Sequence, residues 1–421
     1  GVNRGKCYQL TNDVPGALKL VGKVNFASSA QSHKIGSTAL FNDLFKAVCG
    51  GNSITNTEGF ENCRVAVLQK PFLFFVQEDE NSEPQFKSFM TFGPGKGDKP
   101  TFGYDKTKFP DYVCLEGADN DRALVMCRVP WIDEDVTLEG EEDWMYNGEK
   151  QMSLVFGDTN KIAPIKSGFN FVFKHYDNID YFNGTIEDLN AAENLDTSKH
   201  YWLTKAGRNN AQFDLFRYDF ITSTWVGAGT EKIENGRYST VNINEQCGNI
   251  ASGTDWDAIN SSFKTARIAL FKADAGKYFN LTETHFAMNF CKLIAASDNR
   301  GKNIYFYVDP KTHLIGWHQD DLDTIFPVNN VGQREKPYYV EEHDKNKDGG
   351  FYWNSEGNAL FNQMENAFPD ELRTNMRSIL QAMLKLSDDG TLMGCMEKYY
   401  FYVQRYFPAV AYNEVARLVY E

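Results

Sequence analysis

The sequence has no Cys-x-x-Cys pair, no internal repeat, no low-complexity tract and no block of like charge. Its eight cysteines (Cys7, Cys49, Cys63, Cys114, Cys127, Cys247, Cys291 and Cys395) fit neither a zinc spacing nor a disulfide framework. They predict buried, reduced thiols in a protein made in a cytosol. No apolar run approaches the roughly 18 residues of a membrane helix. The longest candidate, Pro71-Phe72-Leu73-Phe74-Phe75-Val76, is strand-sized. Positive charge is scarce: 43 Lys and Arg stand against 57 Asp and Glu, for a net charge of −14. That balance argues against direct nucleic-acid binding and against anionic membranes, and favours divalent cations.

What is present is ample core material. The chain has 421 residues, 42% of them apolar and 14% aromatic, enough for two or three domains or lobes. Up to about residue 250 it reads as strand-like and loop-rich. CRVAVLQ (63–69), PFLFFVQ (71–77), FKSFMTFGPG (86–95), SGFNFVFKHY (167–176) and AQFDLFRYDF (211–220) are the strand candidates. GSTALFNDLFKAVCGG (36–51) is the exception, a helix carrying Leu40, Leu44 and Val48 and ended by paired glycines.

Past residue 250 the periodicity turns helical. Thr254 is placed to cap a helix carrying Trp256, Ile259, Phe263, Ala266 and Leu270. Further helices are predicted over 281–296, with Phe286, Phe290, Leu293 and Ile294 inward, from Pro369, and through 396–407. A strand-rich part at 1–250 and a helical part at 251–421 make an α+β chain in two lobes. The start at Gly1 and the stop within a helix-like stretch, NEVARLVYE, predict a piece of a longer polypeptide.

The chemistry gathers at GWHQDDLDTIF (316–326). Aspartates this close repel unless a cation or a proton relieves them. The 281–296 helix leads to Asp298, then Asn303, then a hairpin of IYFYVD (304–309) and HLIGWH (313–318), then Asp320, Asp321 and Asp323. A hairpin folds its ends together, so Asp298 and Asn303 are expected near Asp321 and Asp323. Phosphoryl transfer uses one carboxylate to orient or deprotonate the nucleophile, and an Asp and an Asn to hold magnesium against the phosphates. On that chemistry Asp298 is the base or orienter, and Asn303, Asp321 and Asp323 are the metal ligands. The bland alternative is a scaffold whose acids only cap turns. His318 is expected to be hydrogen-bonded rather than a ligand, and D-x-N-x-D-G at 344–349 to be a solvated turn.

DNRGKNIYFYVDP followed by WHQDDLDT resembles the CotH-like atypical kinases, with Asp320 where that family usually has Trp. FYWNSEGNALFNQM (351–364) and VNFASSAQSHKIGSTALFNDL (24–44) are similar to further family segments. The resemblance implies a protein-kinase-like, two-lobed fold binding Mg2+ and ATP, with Lys34 as the nucleotide-anchoring lysine. The glycine-rich GPGKGDK (93–99) lacks P-loop spacing and reads as a turn with exposed lysines.

FGPGKGDKPTFGYDK and CLEGADNDRALVMCRVPW also resemble CotH-like segments in tail or muzzle proteins of crAss-like Bacteroidales phages. That implies a structural virion segment, made in the bacterial host cytoplasm and packed as a homo-oligomer against other tail chains in a symmetric assembly. The alternative is a secreted, active kinase acting on a protein acceptor.

Overall fold

The computed structural model describes residues 20–23, 32–117, 138–139, 143–146, 149–174, 179–182, 186–197, 200–203, 215–219, 223–227, 268–296, 299, 303–326, 328 and 359–401. The fold is mixed α+β, with mainly antiparallel sheets. Among the described residues no helix is long and apolar enough to cross a membrane.

Three sheets organise the strands. The first orders β1 (Leu20–Lys23), β3 (Gln85–Pro94) and β2 (Lys70–Val76) as β1-β3-β2, antiparallel throughout. The second is six-stranded, with β4 at Val113–Gly117, β5 at Leu138–Glu139, β6 at Asp143–Tyr146, β7 at Glu149–Phe156, β12 at Ile304–Val308 and β13 at Ile315–Gln319. Its order is β13-β12-β4-β7-β6-β5, so it draws strands from both sides of residue 250. The third joins β8 (Ile179–Phe182) to β11 (Thr224–Gly227), through β9 (His200–Leu203) and β10 (Leu215–Asp219).

The sequence of β12 explains its central place. Ile304, Phe306 and Val308 join the core shared with α2 (Ala163–Lys174), while Tyr305 and Tyr307 join the core on the other face. All five residues are buried, as a strand covered on both faces requires.

A helical cluster carries the remaining core. It comprises α1 (Ser32–Cys49), α4 (Leu281–Leu293), α6 (Pro369–Leu386) and α7 (Leu392–Tyr400), with α3 at Ile186–Ala191 and α5 at Ala359–Ala367 lying outside it. Phe41 meets Phe286 and Phe290 at ring centroid distances of 5.1 and 5.0 Å. The helix α1 ends at Gly50 and Gly51, whose φ values of 72° and 81° only glycine adopts readily. Gly36 lets α7 approach closely, because a Cβ there would lie 2.6 Å from the Tyr400 ring. Pro369 opens α6 at its first turn as expected.

Three expectations are corrected. SGFNFVFKHY is not a strand: residues 163–174 form α2. The alternation of Phe169, Phe171 and Phe173 masks a helical stripe of Ile165, Phe169 and Val172, and Pro164 fits a first helical turn. CRVAVLQ forms no regular strand; only Ala66 bridges, to Gln319. Residues 268–274 are helical, but Leu270 is exposed and Phe271 is buried, so the inward stripe is out of phase with the one read from Trp256 onward. Residues 254–267, the 344–349 motif and the chain past residue 401 lie outside the described residues.

Candidate functional site

The β12–β13 hairpin sets Ile304 opposite Gln319, so the residues flanking it lie side by side. The Asp320 amide donates to the Asn303 carbonyl at 3.1 Å. Asn299 is buried and donates through Nδ2 to the Asp320 carbonyl at 2.6 Å. These bonds tie the loop leaving α4 to the acidic loop leaving β13. Asn303 and Asp321 both adopt positive φ, 55° and 52°. Asn and Asp tolerate that region better than most residues, and such outliers gather at functional sites.

Lys34 comes from the first turn of α1 and reaches across to this loop. Its ammonium hydrogen-bonds Asp321 Oδ1 and lies 3.8 Å from Asp320 Oδ1. The Lys34 side chain is only 1% exposed, whereas that of Asp321 is 34% exposed. Lys23, at the end of β1, places Nζ 3.8 Å from the same Asp321 oxygen. Asp320 faces inward and accepts from the Tyr305 hydroxyl at 3.1 Å.

The electrostatics follow from that geometry. Burial opposes the Lys34 charge, but Asp320, Asp321 and Asp323 together outweigh it and hold the ammonium's pKa above the ordinary lysine value. Burial likewise opposes the Asp321 carboxylate, yet Lys34, Lys23 and Lys96 keep its pKa below the usual range. Lys34 is therefore a cation and Asp321 an anion at neutral pH.

A second polar layer holds the hairpin. Asn42 on α1 accepts from the Val65 and Ala66 amides at 2.9 and 3.2 Å and donates to the Ala66 carbonyl at 3.1 Å. The 65–67 segment in turn bonds Gln319, at 2.7 and 3.2 Å. On the far side Glu283, in the first turn of α4, is buried against β12 and β13. It accepts from the Tyr307 hydroxyl at 2.9 Å and from the Trp317 amide at 3.3 Å. Burial pushes its carboxyl pKa up to about 8, the Tyr307 and Trp317 bonds only partly opposing that.

Of the residues singled out from sequence, Lys34, Asn303, Asp321 and Asp323 fall on or against this loop, and Asp298 lies outside the described residues. His318 is buried and bonded to the Tyr112 hydroxyl at 2.7 Å, and its ring stacks on Tyr307. Burial lowers its pKa to about 3, so it is neutral. In GPGKGDK, Gly93 and Pro94 end β3 and the turn lies at Lys96 and Gly97, where Lys96 bonds Glu116 at 2.7 Å and acts on Asp321. Sequence reasoning missed Lys23, Lys96 and the inward role of Asp320. Their placement depends on long-range strand pairing that no local pattern encodes.

Among the described residues no three acidic, histidine or cysteine side chains form a metal cage of their own. The oxygen donors of Asp321, Asp323 and Asn303 still suit magnesium, which is usually held by one or two carboxylates plus substrate phosphates. No protein-family model matches the chain, and no curated protein matches it.

Proposed function

We propose that the chain is a kinase-like, two-lobed domain that binds a magnesium–nucleotide complex where α1 meets the 320–323 loop. One observation carries the reading: Lys34 and Asp321, 287 positions apart, meet in a hydrogen bond at a largely buried site. Phosphoryl-transfer sites grip phosphate with a lysine and metal with an aspartate, and Lys34, from the first turn of α1, and Asp321, after the β12–β13 hairpin, supply those two groups. In this reading Lys34 anchors phosphate oxygens, and Asp321, Asp323 and Asn303 hold the cation. When bound, magnesium supplies neutralisation of the phosphate charge. Asp298 is the proposed base for phosphoryl transfer to a protein acceptor.

The experiment is thermal unfolding with and without ATP and magnesium, for the parent chain and for Asp321→Asn. A ligand that binds only the folded state at a hundredfold excess over its Kd stabilises by about 2.7 kcal/mol. A melting rise of a few degrees that disappears in Asp321→Asn is expected. An unchanged melting temperature for the parent overturns the reading.

One further observation favours a second reading, a structural segment of a phage tail or muzzle assembly. Phe74, Phe75, Val76 and Phe86 stand exposed at the end of the β2–β3 ribbon. Exposed apolar surface at a ribbon end is typical of surfaces that pack against other chains. This reading expects indifference to ATP and stable association between copies.

A further inference from the structure

We infer that the β2–β3 ribbon joins two copies of this chain, with β2 pairing antiparallel to β2 of the second copy about a two-fold axis at Phe74. The inference is independent of the nucleotide site. It rests on the assembly reading above and names the surface which that reading leaves open.

The argument starts from the two faces of the ribbon. Phe72 packs on Phe92, their ring centroids 5.0 Å apart, and period-two alternation puts Phe74 and Val76 on the same face as Phe72. Phe75 and Phe86 meet edge to face on the opposite side, 5.6 Å apart. Phe74, Phe75, Val76 and Phe86 are all exposed. A partner lying on one face would leave the other wet, whereas a strand added at the edge extends both faces at once.

The strands differ in how their edges are guarded. Native edge strands are protected by charge, proline or bulges. The register shift between Phe74 and Phe75 takes its extra residue, Lys87, from β3, so β3 carries both a bulge and a lysine there. Among the described residues β2 is the outer strand of its sheet. It is uncharged from Pro71 to Gln77, and its proline stands near its start. Pairing about Phe74 sets Phe72 opposite Val76, Leu73 opposite Phe75 and Phe74 opposite itself. The same register brings Lys70 of each copy to Glu78 of the other, so the strand is complementary to itself in both polarity and charge.

The tip of the ribbon is preformed. Gln77 Nε2 donates to the Ser82 carbonyl at 2.9 Å, and the Asp79 carboxylate accepts from the Asn81 and Ser82 amides, each at 2.8 Å. Glu78, Asp79, Glu80 and Glu83 make this tip acidic, which sets it against an anionic membrane. In the antiparallel dimer the two acidic tips point away from each other.

The test is sedimentation equilibrium of the full chain over a wide concentration range, with the parent expected to form a dimer. Phe74→Lys sets two ammonium groups face to face across the axis, and it is expected to weaken dimerisation at least about tenfold. Phe74 is 42% exposed, so the circular dichroism of this variant is expected to match the parent's. Phe74→Cys is expected to give a reducible covalent dimer on mild oxidation. Phe86→Cys is expected to give far less, because in the dimer its two copies lie at least about 14 Å apart, three strand spacings. If Phe74→Lys dimerises like the parent, or Phe74→Cys cross-links no better than Phe86→Cys, the β2 pairing is overturned while the assembly reading survives. A parent that stays monomeric at every concentration overturns both.

Discussion

Glu283 gives the sharpest prediction, because its carboxyl is enclosed and its bonds hold the hairpin that carries the acidic loop. The perturbation is Glu283→Gln, which keeps the shape and an oxygen for Tyr307 and Trp317 while removing the charge. In the folded chain the carboxyl titrates near 8, against an ordinary value of 4.5. A carboxyl raised on folding lets the folded state keep a proton that the unfolded state has lost. Its contribution is therefore most favourable below about pH 4.5, declines as pH rises, and levels off above about pH 8. At 1.36 kcal/mol per pH unit the full fall is about 4–5 kcal/mol, and about 3 kcal/mol of it has been lost by pH 7. Urea unfolding at pH 5, 7 and 9 reads the difference between variant and parent, in which the other titrating groups cancel. The variant is expected to gain on the parent steadily with pH, by several kcal/mol between pH 5 and 9. A difference that stays constant across that range would refute the reasoning, since it would mean that Glu283 is ionised in the fold.

Two packing predictions follow from the same scaffold. Asn42→Ala strips partners from the Val65 and Ala66 backbone, and buried unsatisfied groups of this kind cost about 1–3 kcal/mol each. Equilibrium unfolding should show a loss of about 2–4 kcal/mol, and an unaffected midpoint would mean that water replaces the side chain. Gly36→Ala drives a methyl group against the Tyr400 ring and the Tyr399 carbonyl, where it would lie 2.6 and 2.7 Å away. Overpacking of this kind costs about 1–3 kcal/mol, and a thermal melt matching that of the parent would show that α7 can shift aside.

Much of the local architecture was legible because its signals are local. The apolar spacing of α1 and its paired glycines, the strand residues of β2, β3 and β10, Pro369 at the start of α6 and the β12–β13 hairpin each lie within a single window of sequence. The α2 helix was not legible, because phenylalanines two apart imitate a strand while the helical stripe runs through Ile165, Phe169 and Val172. CRVAVLQ alternates like a strand, yet its backbone bonds go to Asn42 and Gln319 instead of to a ladder of its own. At the site, Lys34 and Asp321 were read separately from sequence, and the structure brings them into contact. Lys23 arrives through the pairing of a four-residue strand with β3, and β1 is too short to announce itself.

The union of Lys34 with Asp321 also sets a timetable. A ribosome adds roughly 5–20 residues per second, so the 287 positions between the two take about 15–60 s to make. Throughout that interval α1 can form, but the charge near its start has no carboxylate from the acidic loop to meet. One edge of β4 waits too: β7 can pair with it early, but Val113 pairs on the other side with Val308. Closure of the six-stranded sheet and neutralisation of Lys34 thus wait for the same stretch of chain, residues 304–321, and fall close together. A chain stalled before residue 304 would expose an unfinished sheet edge at β4 and leave Lys34 without its Asp321 partner.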